Sequence, residues 1–184
     1  MYREARKKAG LSIEAAAEKL HLAPRTLINY EHEQSIPPPE VALGMSRLYK
    51  VPWLTQHYCR LNCAIGQAYS YEVLNGVSLD PPSVMLKLIG EMAEAMGVLY
   101  RMVDLAVNKD GYEDFRKEEW AEFEKCLQEF FDVEHNIETL KISLGQWCDV
   151  SELVAVHNQK CHARGYVKKE KPAISGRATK ISYA

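Results

Sequence analysis

The chain has 184 residues, 47% of them hydrophobic and 26% charged, the composition of a globular protein long enough for one large domain or two small ones. No apolar run approaches the roughly 18–20 residues that span a bilayer, and Met1-Tyr2-Arg3-Glu4-Ala5-Arg6-Lys7-Lys8 has no apolar stretch after its charges, so neither a membrane span nor a signal peptide is expected and a cytoplasmic setting is. A formal net charge of −2 argues against an indiscriminate nucleic-acid coat.

That charge is unevenly placed. Residues 1–66 carry nine Lys and Arg against six acids, residues 67–159 seven against eighteen, and residues 160–184 seven against one. The two ends can approach phosphates, whereas the middle is repelled by them and suits contact with protein.

Met1 to Ala9 reads as a leading helix ended by Gly10. Ser12 is a good N-cap for the next helix, Glu14 suits its positive end, and Ala15, Ala16 and Ala17 let another helix approach closely. His21, Leu22 and Ala23 make a turn, and Pro24 fits the first position of a following helix, where its missing N–H costs nothing. Leu27 and Ile28 give that helix its buried side. Arg25, Thr26, Asn29 and His32 fall on the outer side. Two short helices joined in this way can push the second into the major groove of DNA.

The combination of Arg6, Gly10-Leu11-Ser12, Ala16-Ala17, Leu20, Leu22, Leu27, Tyr30-Glu31, a proline beyond the second helix, Leu48 and Val51 resembles the phage-repressor (Cro/repressor-type, XRE) helix-turn-helix family over about residues 1–60. The resemblance implies a five-helix repressor-like domain that binds double-stranded DNA as a homodimer. It implies that Arg6 pairs with Glu31, tying the first helix to the third, a task suited to the bidentate guanidinium fork. It makes Ser12 a phosphate contact and sets Pro24, Arg25 and Asn29 against the bases, with Arg25 suited to guanine and Asn29 to adenine. Thr26 and Lys8 become candidate backbone contacts. Four positions depart from the family pattern: His21 and Glu33 stand where relatives often carry glycine, Ile13 where they carry a polar residue, and Pro24 offers no base a hydrogen bond.

Beyond this pair, Ser35-Ile36-Pro37-Pro38-Pro39 reads as a rigid extended connector. A fourth helix is expected from Glu40 and a fifth from Pro52 through Leu61, closing a domain at Gly66. Residues 67–82 read as a linker with a turn at Asn75-Gly76. Asp80-Pro81-Pro82-Ser83 then opens a long helix whose stripe is Met85, Ile89, Met92, Met96, Leu99, Val103 and Ala106, a heptad pattern broken by Asn108-Lys109-Asp110-Gly111. Its methionines serve either as core filler or as an adaptable partner surface.

A second long helix is expected from about Glu113 to Leu144, with the stripe Trp120, Phe123, Leu127, Phe130, Val133, Ile137, Leu140 and Leu144, and a short third from Val150 to Cys161. The short loop folds the long pair back antiparallel, giving an all-α chain with a helical hairpin or bundle over 83–163. A lone hairpin leaves Phe131, Ile142 and Trp147 uncovered, which points to homodimerisation or a protein partner through residues 83–147; a bundle within one chain is the plainer alternative. Residues 164–184 read as a basic flexible tail.

Five cysteines, an odd number, argue against a disulfide framework. Cys59, Cys63, His157 and Cys161 are zinc-ligand types at a spacing looser than a zinc finger, so buried free thiols are expected, with no metal and no cofactor. A calcium loop at Asn108–Asp114 fails its register, because Ala106 and Lys117 fall where carboxylates are required. Phosphate loops, nucleophile elbows and His-Glu zinc motifs are absent from the sequence, and an enzyme is not expected. The function expected is a sequence-specific DNA-binding transcriptional regulator, laid out like small regulators of prophages and mobile elements. The alternative is an interaction adaptor whose acidic half binds protein while the helix-turn-helix serves as scaffold.

Overall fold

The structure is a computed structural model that describes residues 1–74 and 76–167. Asn75 of the expected turn and residues 168–184 of the expected tail lie outside the described residues. The described residues are all-α, in the order α1 Tyr2–Lys8, α2 Ile13–Lys19, α3 Pro24–Glu31, α4 Pro39–Tyr49, α5 Trp53–Asn62, α6 Ala64–Tyr69, α7 Pro81–Ala106, α8 Lys117–Leu144 and α9 Val150–Ala163. Met1–Cys148 form one compact unit, and α9 belongs to a second that begins at Asp149.

Local chemistry starts several of these helices. Ser12 Oγ accepts from the Ala15 N–H at 3.1 Å, and Asp80 accepts from the Ser83 N–H at 2.9 Å. Proline stands in the first turn of α3, α4 and α7, where its fixed φ is already helical. Five of the endings share one device. After α1, α2, α3, α4 and α9 the chain turns through Gly10 (φ +70°), His21 (φ 54°), Glu33 (φ 59°), Lys50 (φ 56°) and Gly165 (φ +72°). At each, two N–H groups fold back to carbonyls of the preceding turn: at His21, for example, Leu22 N–H bonds Ala17 O at 2.8 Å and His21 N–H bonds Glu18 O at 3.1 Å. This is the Schellman ending, which normally uses glycine at the left-handed position.

The head buries Ala16, Ala17, Leu27, Met45 and Leu54, with Tyr2, Ala5 and Tyr49 beside them. Small residues on α2 let it sit directly against α3. Gly66, the expected end of the head, lies inside α6, a helix the sequence did not announce, and a Cβ added there would meet Cys59 O at 2.2 Å. α6 is thus folded closely on α5.

α7 and α8 pack antiparallel through a tip with a 3-10 turn at Tyr112–Asp114. There Phe115, Trp120 and Phe123 cluster, and Lys109 Nζ bonds Asp114 O at 2.6 Å and Glu119 at 3.0 Å. Here the structure departs from the sequence reading. The buried positions of α7 are Pro81, Val84, Ala95 and Leu105, and those of α8 are Cys126, Asn136, Thr139 and Ser143. The α7 stripe, read as core filler or as partner surface, is mostly exposed: Met85, Ile89, Met92, Met96 and Val103 all face out. The α8 stripe is half-buried at Trp120, Phe123, Leu127, Phe130, Val133, Leu140 and Leu144 and exposed at Ile137.

Within the same unit, α8 is fastened to the head. Gln56 donates to Glu138 Oε2 at 2.7 Å, Tyr71 OH donates to Glu134 Oε2 at 3.0 Å, and the Tyr71 and His135 rings stack at 4.7 Å. Gln146 donates to Leu79 O at 3.3 Å, and Gly145 lies against the Pro52 ring, where an added Cβ would be 2.8 Å from Cγ. α9 is capped by Asp149, which accepts from the Ser151 N–H at 2.9 Å, and none of its residues is buried.

Candidate nucleic-acid interface

α3 is held from below by Leu27, which is fully buried, and at its C-terminal end by an ion pair. Arg6 Nε donates to Glu31 Oε1 at 2.6 Å and its NH2 to Oε2 at 2.9 Å, while NH1 donates to Leu11 O at 2.7 Å. Both side chains are almost wholly buried, at 8% and 2% exposure. The guanidinium is thus fixed to α3 and to the α1–α2 turn at once. Its hydrogen bonds to Glu31 raise its pKa further above the ordinary arginine value. Such a pair is paid for in desolvation, but removing either half leaves a buried charge, at a cost of about 3–5 kcal/mol. Tyr49 stands near the pair, and burial first, with the Glu31 charge second, pushes its hydroxyl up to about 12.

The opposite side of α3 is free. With Leu27 pointing inward, the 100° step of a helix sends Arg25 and Asn29 to the outer face, one turn apart. Pro24 and Arg25 are exposed, and Thr26, a quarter-turn round, is half-buried. Asn29 is half-buried as well, and its Oδ1 is enclosed without a hydrogen-bond partner. As placed, Asn29 does not offer its acceptor outward. Lys8 ends α1, exposed, and Ser12, also exposed, has its hydroxyl occupied in capping α2. Ala23 gives α3 no side-chain cap, which leaves the positive end of its dipole unsatisfied by the chain itself. Arg25 on α3, His21 in the turn before it and His32 just after it are each exposed.

Sequence reasoning missed two things here. The Leu11 carbonyl is a third acceptor for Arg6, and no sequence signal marks it. The left-handed conformations of His21 and Glu33 do have a signal: relatives often carry glycine at those places.

Cys59 and Cys63 belong to the α5–α6 region, while His157 and Cys161 lie on α9 at 3.4 Å from each other. Burial, and the neighbouring Cys63, push the Cys59 thiol up, which disfavours the thiolate a metal would need. Among the described residues no group of three or more His, Cys, Asp or Glu is placed to hold a metal ion, and no helix is long and apolar enough to cross a membrane.

A buried core that presents one short helix outward, fixed at its far end by a buried ion pair, defines a helix-turn-helix DNA-binding head. Residues 3–55 match the family model described as helix-turn-helix, as the resemblance in the sequence implies. The match supports a DNA-binding regulator. No curated protein and no solved structure matches the chain.

Proposed function

We propose that the protein is a sequence-specific, homodimeric transcriptional regulator of double-stranded DNA, of the kind prophages and mobile elements encode. The observation that carries this reading is Arg25, exposed on the outer face of a helix whose other face is anchored by Leu27 and whose end is fixed by Arg6 and Glu31. A guanidinium held there suits the O6 and N7 of guanine. Pro24 supports it by shape, Lys8, Ser12 and Thr26 bind the flanking phosphates, and Asn29 reads adenine after turning its amide outward. Residues 1–66 act as the binding domain, 67–82 as connector and 83–163 as the association region.

The test is Arg25→Ala on the full chain at fixed salt, against DNA fragments selected by the unaltered protein. Specific binding should weaken by about 1–3 kcal/mol, with preference relaxed at one base pair and nonspecific affinity little changed. A uniform loss across all sequences would make Arg25 a phosphate contact. No change at all would favour the adaptor reading, which draws its support from the acidic middle of the chain and from the apolar outer face of α7.

A further inference from the structure

The outer face of α7 has more apolar surface than one chain can leave in water without consequence. Ile89 is 65% exposed, Met92 51%, Met96 59% and Val103 54%. Met85 and Tyr100, 40% and 80% exposed, extend them along one face of the helix, and a contiguous apolar strip of this kind marks an association surface. No charged residue stands at positions 85, 89, 92, 96, 99 or 103.

The strip has an internal symmetry. Its intervals of four, three, four, three and four residues read the same in both directions about position 94. We propose that α7 pairs antiparallel with α7 of a second copy, setting Met85 against Val103, Ile89 against Leu99 and Met92 against Met96 across a two-fold axis near Glu94. Each chain then offers the same surface to the other, as closed two-fold symmetry requires. The proposal rests on the dimeric DNA-binding reading, and the heads favour the antiparallel sense. They are fastened to the hairpin near the start of α7, through Leu79, Pro52 and Tyr71. Antiparallel pairing sends the two heads to opposite ends of a helix roughly 39 Å long at about 1.5 Å per residue. That is the scale of the roughly 34 Å between successive major-groove half-sites. Parallel pairing would crowd both heads at one end.

Sedimentation of the full chain should show a dimer whose strength hardly changes with salt. Met92→Glu combined with Met96→Glu should weaken it about 100-fold, since two charges per chain would enter a dry seam, with helical circular dichroism unchanged because both side chains are exposed in the single chain. Thiols should resolve the sense of pairing: Met85→Cys should cross-link to Val103→Cys in a mixture of the two variants and not to itself. A dimer indifferent to the glutamates, self-linking of Met85→Cys, a chain that stays monomeric, or a strip covered by residues 150–184 or by an unrelated protein would each overturn the proposal. DNA binding is read apart from this on single half-site fragments. Half-site binding by a chain whose dimer ignores the glutamates sinks the pairing alone, and an α7 dimer with no base preference sinks the regulator reading alone.

Discussion

His21, Glu33 and Lys50 each hold a backbone conformation that suits glycine, in a motif where Gly10 already supplies one. A side chain in the left-handed region places its Cβ against the following carbonyl, at roughly 1–2 kcal/mol. The two back-folded hydrogen bonds at each turn hold the geometry despite that cost. His21→Gly and Glu33→Gly are therefore expected to raise stability by about 1 kcal/mol each, offset in part by the greater freedom of an unfolded glycine. Gly10→Ala should lower it by a similar amount. Urea unfolding followed by helical circular dichroism measures all three. Equal and small effects at every position would mean that these turns relax out of the left-handed region, and the Schellman pattern there would have to be abandoned.

At the scale of elements, legibility follows the range of the interaction. Ser12, Pro24 and Asp80 act within one turn of their own helix, so the starts of α2, α3 and α7 could be read from single residues, whereas Pro39, assigned to the extended connector, is the first residue of α4. α6 has six residues, no side-chain cap and no apolar stripe, and was invisible. Periodicity located the apolar stripe of α7 and could not say which neighbour it meets. Among the most buried residues of the two helices are Ala95, Asn136, Thr139 and Ser143, which a hydrophobic pattern discards. The Arg6–Glu31 bond joins residues far apart in sequence, and only the likeness to a family could suggest it. α6 also yields a sharp expectation. Its close approach to α5 depends on Gly66, because the obstructing atom is the backbone carbonyl of Cys59, which cannot swing aside. Gly66→Ala should part the two helices and cost about 1–3 kcal/mol or more, seen as a lowered unfolding midpoint. A neutral outcome would show that α6 does not rest on α5.

Across the whole of the first unit, the decisive seam is the one between head and α8, because it fixes where α3 points relative to the hairpin. Tyr71 is its most informative residue. Burial first, and the hydrogen bond to Glu134 second, push its hydroxyl up to about 12 from an ordinary value of 10. The folded chain thus keeps a proton that the unfolded chain gives up sooner. The stabilisation is complete below pH 10 and is lost as pH rises from there toward about 12. Tyr2 and Tyr49 are raised to about 12 as well, so alkaline weakening of the intact protein has several sources. Comparison with Tyr71→Phe cancels those two. Phenylalanine keeps the ring that stacks on His135 and removes the hydroxyl that bonds Glu134. At pH 8 the variant should be about 1 kcal/mol less stable, the net worth of one hydrogen bond. The gap between variant and parent should shrink as pH climbs past 10, since the parent loses there what the variant never had. Thermal unfolding of both proteins at pH 8 and pH 11 reads the difference directly. A gap that stays constant over this range would mean that Tyr71 does not hold its proton through Glu134, and that the head is joined to α8 by Gln56, Gln146 and packing at Gly145 instead.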